Sequence, residues 1–147
     1  MATTTLYLNF NGNCEEAFDF YKSVFGGEFT YIGRYGEIPK SEEYKVPEAD
    51  KNKIMHVSLP IGNSTLMGSD CGSERASCFI AGNNFSASIT AESKSEADRL
   101  FGGLAEGGQV TMPLENTFWG DYFGMLTDRF GVNWMISFND PSQPKQL

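Results

Sequence analysis

The pattern of elements along this chain runs twice, and that constrains its fold more than any other feature. Leu6-Tyr7-Leu8-Asn9-Phe10 alternates and is aromatic-rich, as a short strand is. After Asn11-Gly12, Asn13 stands at an N-cap position with Glu15 and Glu16 in the first turn. Ala17, Phe18, Tyr21, Val24 and Phe25 then recur at helical steps, which predicts a helix over 13–25 closed by Gly26-Gly27. Strands are predicted over 28–35, 54–59 and 64–69, the last two joined as a hairpin by Pro60-Ile61-Gly62-Asn63. The order then restarts. A strand over 85–91 precedes a helix opened by a Ser93 and Glu96 capping box, with Ala97, Leu100, Phe101 and Leu104 as its apolar stripe. Gly107-Gly108 stops it, and strands follow over 109–112, 121–127 and 132–138. Glu16-Ala17 and Glu96-Ala97 open helices about 80 residues apart.

These spans make an α+β chain of two βαβββ modules. Module one covers about 5–70, a Gly-, Ser-, Asn- and Cys-rich linker about 71–83, module two about 84–138 and a tail 139–147. Residues 37–52, with Pro39, Pro47 and many charges, form an expected exposed loop longer than most connections. One helix covers only one face of a sheet. Two such units can curl their mixed sheets together and leave a cleft between the open faces.

Alternation assigns side chains to those faces. Met55, Val57 and Leu59 oppose His56 and Ser58; Leu66 opposes Thr65, Met67 and Ser69. Phe85, Ala87, Ile89 and Ala91 oppose Ser86, Ser88 and Thr90, while Trp134, Ile136 and Phe138 oppose Asn133, Met135 and Ser137. With the large apolar set under the helices, the open side carries His56, Ser58, Thr65, Met67, Ser69, Ser86, Ser88, Asn133 and Met135. Phe118, Trp119, Tyr122 and Phe123 form an aromatic cluster after a turn, which serves either core packing or ligand stacking. Hydroxyls, thioethers and one imidazole suit a mostly neutral small molecule. A solvated face, or one closed by a second subunit, fits the same alternation.

Composition removes several classes of function. Eleven Lys plus Arg against nineteen Asp plus Glu leave a net charge of −8, which disfavours a nucleic-acid partner. No apolar run approaches the roughly 20 residues of a membrane helix. The opening Met1-Ala2-Thr3-Thr4-Thr5 carries no basic or apolar region of a secretory signal, so a cytoplasmic location is expected. Cys14, Cys71 and Cys78 fit three reduced thiols, not a disulfide framework. Cys14, near a helix start, is placed where a thiol pKa can be lowered. His56 is the sole histidine, so no His₂ or His₃ metal site can be built within the chain. No P-loop, no GxGxxG after a strand and no GxSxG elbow occurs.

Leu8-Asn9-Phe10-Asn11-Gly12-Asn13 with Ala17-Phe18-Asp19-Phe20-Tyr21 resembles the opening of PhnB-like proteins. Met55-His56, Met67-Gly68-Ser69-Asp70 and Glu106-Gly107-Gly108 add to the resemblance. Its strongest part is Met112-Pro113-Leu114, Phe118-Trp119-Gly120 and Asp128-Arg129-Phe130-Gly131-Val132-Asn133-Trp134. The resemblance implies the vicinal oxygen chelate superfamily, with its glyoxalase/bleomycin-resistance-like fold, paired βαβββ modules and homodimers. Metalloenzymes of that superfamily hold a metal through His or Glu on four strands. By motif those positions fall near Leu6, near Met67, at Ser86 or Ser88, and at Met135, none of which is a carboxylate or imidazole.

The chain is therefore expected to be a metal-independent small-molecule-binding protein with no cofactor. Its expected cleft comprises His56, Ser58, Met67, Ser69, Ser86, Ser88, Trp119, Tyr122, Asn133 and Met135. The alternative is a metal-free enzyme in which His56 is the catalytic acid or base, since imidazole is the side chain suited to proton transfer near neutrality. A ligand-free dimeric scaffold, a metal-dependent lyase or dioxygenase, and a quinone methyltransferase are weaker alternatives. Arg34, on the second strand, is either solvent-exposed or a receiver of an anionic group.

Overall fold

The computed structural model describes residues 1–39 and 45–142. The chain divides into two compact units, Met1–Ile80 and Ala81–Leu147. The boundary falls inside the stretch expected to be a linker.

In the first unit, β1 (Leu6–Phe10) leads into α1 (Cys14–Phe25), followed by β2 (Tyr31–Arg34), β3 (Ile54–Ile61) and β4 (Ser64–Asp70). The sheet order is β1-β4-β3-β2; β1 runs parallel to β4 and the other pairs are antiparallel. Short 3-10 turns occupy Tyr35–Glu37 and Glu48–Asp50, within and beside the expected loop, whose residues 40–44 lie outside the described residues. α1 ends where Gly26 and Gly27 both adopt φ of 81°, a left-handed conformation that glycine enters without steric penalty. Ala17, Phe18, Tyr21 and Val24 are buried against Leu8, Phe10, Val57, Leu59 and Leu66. Phe18 sits directly over the sheet: a Cβ on Gly68 would fall 2.6 Å from its ring and 2.9 Å from the Leu8 carbonyl. Each fully buried side chain of this kind contributes about 1.5–3 kcal/mol.

One core assignment changes. Arg34 pairs with Ile54 and Gly33 with His56, so Met55 is left over in a bulge. Ile54 is buried in the core while Met55 is only half-buried. Strict alternation from Leu59 backwards puts Met55 in the core, because a single strand's sequence does not reveal an extra residue in the ladder.

In the second unit, β5 (Ala87–Thr90) leads into α2 (Lys94–Ala105), then β6 (Gln109–Asn116), β7 (Asp121–Thr127) and β8 (Asn133–Asn139). The order is β5-β8-β7-β6, again with the first and last strands parallel. Ser93 accepts from the Glu96 amide and the Glu96 carboxylate accepts from the Glu92 amide, as the capping pattern predicts. Leu100 and Leu104 of α2 are buried with Trp134, Ile136 and Leu126 of the sheet. Phe101 packs where Gly124 leaves room, since a Cβ there would lie 2.7 Å from its ring. β6 runs four residues past its expected end and contains Pro113. A proline is tolerated here because β6 is an edge strand, with register shifts on either side of Met112. The expected linker holds a 3-10 turn over Ser73–Cys78. Buried Asp50 ties it down, accepting from the Ser73 amide and hydroxyl while paired with Lys53. Residues 143–147 of the expected tail lie outside the described residues.

Candidate functional site

The open face of the first unit is built from residues that share register. Tyr7 pairs with Met67, Met67 with Ser58, Ser58 with Tyr31, and Gly33 with His56. Ser69 lies two residues along β4 from Met67, opposite Asn9. His56 is the centre of the group. Its Nδ1 lies 3.1 Å from the Tyr7 hydroxyl and its Nε2 lies 3.0 Å from the Ser58 hydroxyl. Hydroxyls both donate and accept, so either imidazole tautomer is satisfied. Tyr7 stacks on the imidazole with centroids 5.6 Å apart and planes 23° apart; Tyr31 lies on it at 5.7 Å and 36°. Ser58 is nearly buried, whereas Tyr7 and Tyr31 stay 41% and 48% exposed.

The sequence named His56, Ser58, Met67 and Ser69 but passed over Tyr7 and Tyr31. The signal for Tyr7 was present: Leu8 and Phe10 are core residues, so Tyr7 and Asn9 must face the other way. The same register shows that the superfamily position placed near Leu6 is taken on this face by Tyr7.

In the second unit, Ser88 pairs with Met135, which pairs with Met125. Asn133 accepts from the Thr127 hydroxyl at 2.7 Å through Oδ1. Asn133, Ser86, Thr111, Thr127 and Met125 line a cavity of about 710 Å³ together with Asn83, Gly82, Ala81, Leu126 and Gly131. Ser88 and Met135 share the sheet face but do not line this cavity. Trp119 packs edge-on against Phe123 at 5.8 Å, and Phe123 pairs with Ser137 on the open face. Tyr122 is a correction to the expected cleft. Alternation from Phe123 turns it to the helix side, where its hydroxyl donates to Asp98 of α2 and Lys94 sits 4.6 Å from its ring centroid. The cluster read from sequence thus splits across the sheet.

Three other expectations change. Burial in the core, with help from the Asp70 and Glu15 carboxylates, pushes the Cys14 thiol up, so it is an inert core thiol. The Arg34 guanidinium is taken by both Glu15 carboxylate oxygens and by the Asn52 carbonyl, so it is not open to an anionic ligand. Asn13 precedes α1 without a side-chain cap. Buried Asp70 does that work from β4, its Oδ1 accepting from the Gly12 and Cys14 amides and its Oδ2 from the Ile54 amide.

The superfamily's metal positions can be tested on their donors. In this fold they correspond to Tyr7 beside Met67, and Ser88 beside Met135. A phenol, a hydroxyl and two thioethers do not fit zinc, nickel, magnesium or iron(II). Among the described residues no group of three His, Cys, Asp or Glu is placed to hold a metal ion. No helix among them is long and apolar enough to cross a membrane.

A family model described as 3-demethylubiquinone-9 3-methyltransferase matches residues 2–137. Protein YjdN of Escherichia coli strain K12 is 32% identical over 137 residues, spanning 89% of this chain and 91% of the E. coli protein. Among solved structures, PA1353 of Pseudomonas aeruginosa is 42% identical, covers 95% of this chain and 98% of its own, and superposes with a TM-score of 0.79. The PhnB protein of Bacillus cereus is 28% identical, with 93% and 99% coverage and a TM-score of 0.68. At the level of fold alone, the fosfomycin resistance protein FosX of Listeria monocytogenes shares the architecture, with 8% identity, 95% and 94% coverage and a TM-score of 0.64.

Proposed function

Because the chain belongs to the PhnB-like family of the vicinal oxygen chelate superfamily, we propose that it is a metal-independent protein that binds an uncharged small molecule. The cavity of about 710 Å³ in the second unit carries this reading. It has the size of a small-molecule site and a lining of hydroxyl, amide and thioether groups without a formal charge. In the first unit Ser58, Met67 and Ser69 present the same hydroxyl and thioether chemistry beside the His56 imidazole. Ser86, Ser88, Trp119, Asn133 and Met135 complete the proposed set in the second; Tyr122 leaves it. We further propose a single cytoplasmic domain acting as a homodimer.

A thermal-shift screen of neutral metabolite-like compounds tests the proposal. At least one compound is expected to raise Tm, to lose most of that effect with Asn133→Leu, which removes the amide from the cavity lining, and to keep it after EDTA dialysis. A stoichiometric metal in the purified protein, lost together with binding on EDTA treatment, would overturn metal independence. A catalytic second reading is favoured by one observation, the unbroken Tyr7–His56–Ser58 hydrogen-bond chain, through which a proton can pass.

A further inference from the structure

The first unit's open face says more about ligand chemistry, an argument that rests on the small-molecule-binding reading above. Three rings lie in a row across the sheet, from Tyr7 on β1 through His56 on β3 to Tyr31 on β2. The row is built in, because its parts hold one another in place. The imidazole is held at both nitrogens. The Tyr31 ring folds over Gly33 of its own strand, and an ideal Cβ there would stand 2.5 Å from the Tyr31 hydroxyl oxygen and 2.9 Å from two ring carbons. The glycine is thus the gap through which Tyr31 reaches His56.

The two outer rings remain about half exposed, which leaves aromatic surface in water. The Tyr7 and imidazole planes lie 23° apart with Tyr31 tilted by 36° beside them, so the row presents flat faces, whereas a cage for a quaternary ammonium needs rings set around the cation. The neighbouring open-face side chains, Met67, Ser58, Ser69 and Asn9, carry no formal charge. The Tyr31 hydroxyl makes no hydrogen bond among the described residues, and the Tyr7 phenol has capacity beyond its bond to His56. From this we propose that Tyr7, His56 and Tyr31 form a stacking site for an uncharged planar aromatic ring bearing a hydroxyl or carbonyl oxygen. The ring stacks on the tyrosine faces and the oxygen meets the phenol hydroxyls.

His56 is the only histidine, so its imidazole proton resonances in the NMR spectrum of the full chain report this site alone. p-Cresol is the probe, with toluene, 4-methylcyclohexanol and tetramethylammonium chloride for comparison. The expected result is a saturable shift of the His56 resonances with p-cresol, weaker binding of toluene, and no saturable shift with the other two. Gly33→Ala evicts Tyr31 from the row and is expected to weaken p-cresol about ten-fold, the loss of about 1.4 kcal/mol of stacking. Tyr31→Leu, which leaves the backbone untouched, is expected to do the same. The site is refuted by p-cresol binding that both variants leave unchanged, by a shift as large with 4-methylcyclohexanol, or by tighter binding of tetramethylammonium. It is also refuted if p-cresol leaves His56 unmoved while a compound from the thermal-shift screen still binds, an outcome that spares the wider binding reading. A screen in which no compound binds sinks that reading itself.

Discussion

Tyr122 shows how one hydrogen bond sets both the place and the acidity of a side chain. Its phenol donates to the Asp98 carboxylate, and that bond, with burial and the nearby charge, pushes its pKa up to about 12. A raised pKa means the folded chain holds this proton more tightly than the unfolded chain. The stabilisation is therefore complete below the unfolded value near 10 and disappears as pH rises through about 12. In a ¹³C NMR titration the Tyr122 Cζ resonance is expected to move with a midpoint of about 12. Asp98→Asn should bring its midpoint back toward the ordinary range; an unchanged midpoint would show that Asp98 is not the cause. The sequence could not distinguish this tyrosine from a cleft residue. The turn before β7 hides where alternation begins, and Phe123 and Tyr122 are equally aromatic. His56 and Ser58 were legible because Val57 and Leu59 beside them are unambiguous core residues. Tyr31 was not, since its neighbours Ile32 and Gly33 give no clear alternation.

The two helices start in different ways, and the difference predicts different costs. α2 carries its own cap in Ser93 and Glu96, a local pattern that can be read from four residues. α1 depends on Asp70, more than fifty residues away, whose carboxylate serves three backbone amides, in the turn before α1, at its first residue and on β3. Removing a surface cap costs about 1 kcal/mol. Removing a buried carboxylate that accepts three bonds leaves the amides unpaired and costs about 2–4 kcal/mol. Urea unfolding is therefore expected to place Asp70→Ala well below Ser93→Ala in stability; equal losses would mean that water replaces the carboxylate. The same contrast explains what sequence disclosed at this scale. Element types were legible from period and glycine stops, but the Asp70 cap and the Met55 bulge are long-range pairings that leave no trace in a local window.

For the whole chain, the net charge of −8 surrounds proposed sites whose own side chains are uncharged apart from the imidazole. A neutral ligand gains nothing from that field, and salt screens only charges. The p-cresol affinity is expected to change by less than about two-fold between about 0.05 and 0.5 M NaCl, measured by the His56 shift. A steeper dependence would mean that the ligand touches a charged group. The doubled arrangement of strands and helices was legible because a repeat announces itself by recurrence, while the chemistry of each face required the register. The parallel pairing of β1 with β4 also orders events in time. Leu6 finds its partner Leu66 only about sixty residues later, so the edge of the first sheet cannot close until nearly that whole unit has left the ribosome. The β3–β4 hairpin, being local, can zip first. The amino-terminal strand is then expected to dock last onto a nearly finished platform, and Asp70, at the end of its partner strand β4, is in place to cap α1 at that moment.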